Sequence, residues 1–146
     1  MLSILLLACQ SNNQKNSIDP DKPFSFQPPE TGKAAIYGFL FQSETGKPVT
    51  GAPFLAKALN SENPDTPIAI SFSLQNDPGA DYDNDSGFFI FKNIEPQDNY
   101  VIIIVNGPGD FTIIQEPESD LPMIFKVGSD EALDLGILYN GEGRNG

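Results

Sequence analysis

Three aspartates stand at alternate positions in one short segment, Asp81, Asp83 and Asp85. Carboxylate oxygens are the ligands that Ca²⁺ prefers, and this spacing is typical of the first half of a calcium-binding loop. The second half is missing, because Ser86 stands at the position of the loop's Gly and Lys92 at the position of its bidentate Glu. We therefore predict a solvated acidic turn with no bound metal, and keep the three carboxylates as candidate ligands for a hard cation.

The chain has no His among its 146 residues, and it has a single Cys, Cys9. His is the commonest general base and the commonest metal ligand in proteins. Without it, these residues cannot form a Ser-His-Asp triad, a Cys-His pair or a His-based metal site, and one Cys cannot form an intrachain disulfide. We therefore predict a protein that is not an enzyme and that holds no cofactor.

The net charge excludes another class of partner. The sequence has 20 acidic and 8 basic residues, a formal net charge of -12 and a pI near 4.1. Such a chain is repelled by phosphate backbones and by anionic lipid headgroups. We therefore expect no nucleic acid as a partner, and no attachment to a membrane through a basic patch.

The only Cys follows an apolar run, Leu2 to Ala8, that is too short to span a bilayer as a helix. A run of this length is typical of the apolar part of a signal peptide. The four residues that end it, Leu6-Leu7-Ala8-Cys9, resemble the lipobox of bacterial lipoproteins. The resemblance implies a diacylglycerol attached to Cys9 and cleavage before it; the alternative is an unmodified, buried thiol. No Lys or Arg precedes the run, which favours a start upstream of Met1.

The rest of the chain divides by composition. A polar stretch with several Pro follows Cys9, and it has too few apolar residues to form a core. Beyond it, short apolar runs alternate with turns that contain Gly, Pro, Asn and Asp. We therefore predict a signal segment at 1–9, a disordered tether at 10–33, one folded domain at 34–140 and a flexible tail at 141–146.

The short apolar runs predict an all-β domain, a single antiparallel Greek-key sandwich of about seven strands. The acidic turn leads into its centre, which we predict to be a hairpin of the strands Phe88–Phe91 and Tyr100–Val105, with a turn at 95–99. The other predicted strands are 35–41, 52–59, 68–74, 111–114, 123–127 and 135–139. Gly87, in the turn before Phe88, is predicted to take a positive φ.

Several predicted strands are apolar on both faces, which is unusual for an antiparallel sheet with one solvated face. Alternation along the strands places Phe89 and Phe91 in the core and Phe88 and Ile90 on the opposite face. By the same rule, Ile36, Gly38, Leu40, Tyr100, Ile102 and Ile104 face the core, whereas Tyr37, Phe39, Phe41, Val101, Ile103 and Val105 face outward. We expect the chain itself to cover the outer faces, through the segment 111–127 or through Phe24 and Phe26 of the tether; the alternative cover is a partner protein, a glycan or the lipid surface.

Five segments occur in the order found in one family. They are Tyr37-Gly38-Phe39-Leu40, Thr45-Gly46-Lys47-Pro48-Val49 with Gly51-Ala52, Asp85-Ser86-Gly87-Phe88-Phe89, Asn93-Ile94-Glu95-Pro96, and Tyr100. Together they resemble the carboxypeptidase regulatory-like domain, a transthyretin-like β-sandwich. The resemblance covers about 34 to 139 and implies a fold without implying a reaction.

These features predict a bacterial, lipid-anchored, extracytoplasmic protein whose sandwich acts as a non-enzymatic binding or scaffolding module. The lipid anchor at Cys9 would hold it in the cell membrane or the outer membrane. Its expected partners are the membrane, through the anchor, and a protein or glycan. The alternative is a surface carbohydrate-binding or adhesion domain with an outward aromatic face, assisted by calcium at Asp81, Asp83 and Asp85.

Overall fold

The computed structural model describes residues 27–63 and 65–141, and within them the protein is an all-β sandwich of two packed sheets. This confirms the fold class that the sequence predicts. The strands are β1 (Ala34–Gln42), β2 (Ala52–Leu59), β3 (Ala69–Ser71), β4 (Asp81–Tyr82), β5 (Phe88–Ile94), β6 (Gln97–Gly107), β7 (Asp110–Ile113), β8 (Phe125–Val127) and β9 (Ala132–Asn140). The predictions for the signal segment, for Phe24 and Phe26, and for most of the tether and the tail concern residues outside these ranges.

The two sheets divide the strands between them. The four-stranded sheet has the order β4-β5-β1-β9, and the five-stranded sheet has the order β3-β2-β6-β7, with β8 also paired to β6. All the strand pairs are antiparallel except β1 with β9, which run parallel. The fold therefore differs from a strictly antiparallel sandwich at the pair that joins the two ends of the domain.

The predicted central hairpin is wrong. β5 pairs with β1 and β4 in one sheet, whereas β6 pairs with β2, β7 and β8 in the other. The segment between them therefore crosses from sheet to sheet. Asn93 takes a φ of 48° at this crossing, and the Tyr100 hydroxyl donates a hydrogen bond of 2.7 Å to the backbone oxygen of Glu95. A Tyr that bonds back to its own chain at a corner is a recurring device of β-sandwiches.

The core lies between the two sheets, and the alternation of residues predicts its members. The predicted core residues Ile36, Leu40, Phe89, Phe91, Tyr100, Ile102 and Ile104 all belong to one buried cluster. The rings of Phe89 and Phe91 meet edge to face, with centroids 5.7 Å apart. Gly38 also lies on this side, where a Cβ atom would come within 2.6 Å of the Gly136 oxygen.

The outer face of the five-stranded sheet has a small core of its own. Val101 and Ile103 are buried there together with Ala56 and Ala58. Partly buried side chains pack against them, namely Ile68, Ile70, Phe72, Val105, Ile113 and Ile124. Ile113 and Ile124 belong to the segment 111–127, but β7 and β8 pair with β6 in this same sheet, so these side chains extend the small core sideways, and the prediction that the segment covers an outer face stays a prediction.

The residues just before β1 make contacts with the sandwich. The N–H of Glu30 donates to Asn93 Oδ1 at 2.8 Å, and the N–H of Gly32 donates to Asp130 Oδ1 at 2.8 Å. The Lys33 ammonium forms an ion pair with Glu95. The contacts of the folded part therefore extend to Glu30, four residues before the first strand.

Candidate functional site

The acidic turn that joins β4 to β5 is a tight loop closed by its own backbone. The Asp83 N–H donates to the Phe88 oxygen at 2.9 Å, and the Gly87 N–H donates to the Asp83 oxygen at 2.8 Å. Gly87 has a φ of 81°, which confirms the predicted positive value. A Cβ atom there would also come within 2.9 Å of the Leu40 oxygen, so the position suits glycine for two reasons.

Two of the three aspartates of this segment use their carboxylates for different contacts, whereas Asp85 contributes its backbone N–H, which donates to Asp83 Oδ1 at 3.4 Å. Asp83 accepts hydrogen bonds from the hydroxyl and the N–H of Ser86, at 2.6 and 3.1 Å. Asp81 points elsewhere and forms an ion pair with Lys92 at 3.0 Å. Within residues 27–63 and 65–141, no three His, Cys, Asp or Glu side chains come close enough to hold a metal ion. Asp83 therefore stabilises the turn, and the carboxylates of Asp81 and Asp83 do not point toward a common metal position.

Hydrogen bonding determines the protonation of Asp83, and burial determines that of the neighbouring Tyr82. The Ser86 hydroxyl, together with the N–H groups of Asp85 and Ser86, lowers the pKa of Asp83 below its usual value. The adjacent Tyr82 donates its hydroxyl to the Val49 oxygen at 2.6 Å. Burial, and secondarily the charge of Asp83, raises the pKa of Tyr82 to about 12. At neutral pH the Asp83 carboxylate is therefore ionised and the Tyr82 phenol is neutral.

The outer side of the four-stranded sheet carries a continuous set of apolar side chains, which we call the outer aromatic face. The register places Phe39 beside Phe88 and Ile137, and Phe41 beside Tyr139. Its members are Tyr37, Phe39, Phe41, Phe88, Ile90, Ile137 and Tyr139. The Phe39 ring meets Phe88 edge to face at 5.4 Å and lies parallel to the Phe41 ring, 6.4 Å away.

Exposure is unequal across the outer aromatic face. Phe88 is 0% exposed and Ile90 is 1% exposed, although alternation places both opposite the main core. On β9, in contrast, Ile137 is 56% exposed and Tyr139 is 53% exposed. The Tyr139 ring lies 6.4 Å from that of Phe41. The apolar surface that a partner can reach on this face is therefore concentrated on the last strand.

Beside this strand lies a groove of about 370 Å³, which we call the β9 edge groove. It lies between the end of β9 and the segment 115–123, and most of its wall is apolar. Its lining residues are Ser43, Gln115, Glu116, Pro117, Glu118, Met123, Ile137, Leu138, Tyr139 and Gly141. Glu116 and Glu118 are exposed here and carry the charge of the groove.

The segment that forms the far wall of the groove is held in place by backbone bonds. The Met123 N–H donates to the Ile114 oxygen at 2.9 Å, and the Glu116 N–H donates to the Leu121 oxygen at 2.9 Å. Next to the groove, Asn140 is 4% exposed, and its Oδ1 atom has no hydrogen-bond partner among the described residues. Periodicity could not reveal this groove, because its two walls lie far apart along the chain and meet only in the folded protein.

A second, more polar depression of about 580 Å³ lies at the other end of the five-stranded sheet. It is formed by the turn after β2 and the crossing between β5 and β6. The Asn99 amide donates to the Ala58 oxygen at 2.7 Å and ties these two segments together. Its lining combines amide, hydroxyl and carboxylate groups with the side chains of Ala58, Leu59 and Pro96, so it is less apolar than the β9 edge groove.

Cys9, the predicted acylation site, lies outside the described residues. Within the part of the chain that the structure describes, no helix has the length and hydropathy needed to cross a membrane. Comparisons with family models, with curated proteins and with solved structures find no match to this chain. The resemblance to the carboxypeptidase regulatory-like domain therefore stays a prediction, and so does the resemblance to bacterial lipoproteins.

Proposed function

We propose that this protein is a lipid-anchored, extracytoplasmic β-sandwich that binds a partner and catalyses no reaction. The observation that carries the proposal is the order of segments along the chain. An apolar run ends in Leu6-Leu7-Ala8-Cys9, a polar stretch follows, and a folded domain begins at Ala34. That order is what tethering requires, with an anchor, a spacer and a binding domain in succession.

The physical basis of the anchor is the burial of acyl chains. One chain gives only marginal, reversible membrane binding, whereas two acyl chains give a stable attachment. Because the contacts of the folded part begin at Glu30, the spacer is the stretch from Gln10 to Pro29, which as a flexible chain would separate its ends by roughly 25 Å on average. The net charge of -12 repels the domain from anionic headgroups. The sandwich would thus be retained at the membrane while its surface stays accessible.

The anchor is tested by replacing the thiol. We expect Cys9→Ser to move the protein from the membrane fraction to the soluble fraction, and to abolish incorporation of labelled fatty acid. Ser11→Ala is the matched control, since it changes a neighbouring side chain of similar size and leaves the thiol. Membrane association that persists in Cys9→Ser would refute the anchor.

The alternative, a carbohydrate-binding or adhesion domain, is favoured by one feature of the outer aromatic face. Tyr139 is 53% exposed, and its ring lies 6.4 Å from that of Phe41. Exposed aromatic rings of this kind can stack on the apolar face of a sugar. Retention on polysaccharide columns that is lost in Tyr139→Thr would support this alternative over a protein partner.

A further inference from the structure

Among residues 27–63 and 65–141, the last strand is an edge of the four-stranded sheet, and alternate backbone groups at its end have no partner in another strand. The sheet order ends at β9 among the described residues. The Ser43 N–H donates to the Asn140 oxygen at 3.4 Å, so Asn140 directs its backbone toward β1. In a parallel ladder alternate residues bond to the same neighbour. Ile137 and Tyr139 therefore direct their N–H and C=O groups away from β1, toward the open edge.

A bulge limits the length of this open edge. The pairing of β1 with β9 shifts register between Tyr37 and Phe39, and Gly136 has a φ of 65° at that point. The Gly136 N–H is taken by Asp134 Oδ1 at 2.9 Å. Bulges of this kind protect an edge strand from unwanted pairing. Only the segment 137–140, after the bulge, remains straight and open.

The open segment coincides with the β9 edge groove. Tyr139 and Ile137 stand on one side of the groove, and Pro117 and Met123 stand on the other. An extended peptide laid along the edge would bond to the outward backbone groups and place an apolar side chain in the groove. This combination of main-chain bonds and a side-chain pocket is how sheet edges recognise peptides.

Charge decides between the candidate occupants. Glu116 and Glu118 are both exposed at the groove, and the whole chain carries a net charge of -12. A second copy of this chain would bring the same negative charges to the same edge, where like charges oppose association. A peptide with Lys or Arg side chains would instead be attracted to the groove and steered toward it.

We propose that the β9 edge groove binds an extended cationic peptide of a partner protein, in which apolar residues alternate with Lys or Arg, by strand addition to residues 137–140. The proposal rests on the proposed function, since it names the partner class of the binding module. It does not depend on the anchor, because every group that it uses lies within the sandwich.

The test uses the full 146-residue chain, made by cell-free synthesis so that no acyl chain is attached. The probe is a fluorescent Lys-Val-Lys-Val-Lys-Val-Lys peptide, and binding is measured by anisotropy at several salt concentrations. One control peptide carries Glu in place of Lys, and a second carries N-methyl groups on alternate amides. We expect the Lys peptide to bind, with an affinity that falls as the salt concentration rises. Both control peptides should bind much more weakly than the Lys peptide.

Two variants locate the contact. Tyr139→Pro removes the outward N–H, whereas its matched control, Tyr139→Thr, removes the same ring and keeps the N–H. We expect the Pro variant to bind about threefold to tenfold more weakly than the Thr variant, as for one lost hydrogen bond.

The double variant Glu116→Gln with Glu118→Gln tests the charge of the groove. It should weaken binding by about twofold to fivefold and reduce the salt dependence of binding. In the unmodified protein, the peptide should slow hydrogen exchange at the Ile137 and Tyr139 amides, which tests the contact without any substitution.

Several outcomes would overturn the proposal. Equal losses in Tyr139→Pro and Tyr139→Thr, with unchanged hydrogen exchange, would make the ring the contact and favour a glycan. Equal binding of the Glu peptide would remove the charge argument. Sedimentation could instead show that the protein is a dimer. If Tyr139→Pro dissociated that dimer and the peptide did not, the open edge would be the contact between two copies of this chain. A membrane-bound Cys9→Ser would refute the anchor alone and leave these results unaffected.

Discussion

Replacing Phe88 by Ala tests whether burial or alternation decides the energetics of the four-stranded sheet. Alternation assigns Phe89 to the core and Phe88 to the outside. The structure buries both rings completely, at 0% exposure. Phe88 also meets Phe39 edge to face, with centroids 5.4 Å apart, much as Phe89 meets Phe91 at 5.7 Å.

The magnitude follows from the burial. Truncating a fully buried Phe to Ala costs about 3–5 kcal/mol through lost transfer free energy and the cavity left behind. We therefore expect Phe88→Ala and Phe89→Ala to lower the free energy of unfolding by similar amounts in this range. For a domain with a denaturant slope of about 2 kcal/mol/M in urea, each midpoint should fall by roughly 2 M.

The assay is equilibrium unfolding in urea, followed by tyrosine fluorescence and far-ultraviolet circular dichroism. Phe111→Ala is the matched control, because it removes the same atoms from a ring that is 53% exposed and contacts Phe72 at 5.7 Å. It should cost less than about 1.5 kcal/mol, the usual range for a partly exposed apolar side chain. A Phe88→Ala loss as small as that of Phe111→Ala would refute the reasoning, because it would mean that solvent reaches Phe88.

Two further predictions concern titration and metal binding. Burial, and then the charges of Glu95 and Asp77, raises the pKa of Tyr100 to about 12, well above the usual value for a tyrosine. Because the unfolded chain releases this proton first, the contribution of Tyr100 to the free energy of unfolding should be present in full below about pH 10 and should fall by about 2–3 kcal/mol as the pH rises toward 12. Tyr100→Phe should make urea midpoints less sensitive to pH in that window, and an unchanged pH profile would contradict the assignment. For the turn at Asp83, whose carboxylate is engaged by Ser86 at 2.6 Å, we expect millimolar Ca²⁺ to shift the thermal midpoint no more than Mg²⁺ does at equal ionic strength. A calcium-specific rise that disappears in Asp83→Ala would instead support the calcium-assisted adhesion alternative.

Local features of the sequence determined where most strands lie and which residues face the core. β2 begins and ends at the predicted residues, and β1 extends the predicted strand by one residue at each end. Turn residues mark strand boundaries because their backbone preferences are local. Alternation assigned Phe89, Phe91, Ile102 and Ile104 correctly, because the period of a strand is a property of its own backbone. The strand predicted at 68–74 was too long, since only Ala69–Ser71 finds a ladder partner, in β2.

What each strand pairs with was decided by tertiary structure. Two neighbouring apolar strands with a turn between them look the same whether they form a hairpin or cross between sheets, so the sequence could not exclude a hairpin at 88–105. The parallel pairing of β1 with β9 joins segments nearly 100 residues apart, so no local sequence pattern could predict it.

The candidate site divides in the same way. The acidic turn and its glycine could be predicted from the sequence, because Asp83, Ser86 and Gly87 lie within five residues of one another and contact each other directly. The β9 edge groove is not, because Met123 and Tyr139 meet only after the sheets have packed. The burial of Phe88 was likewise beyond the sequence, since exposure depends on what lies across a face rather than on the period of the strand. The sequence by itself determined the strands and their inward residues, which follow from local backbone preferences, whereas the pairing, the open edge and the groove depend on long-range contacts that only the folded chain makes.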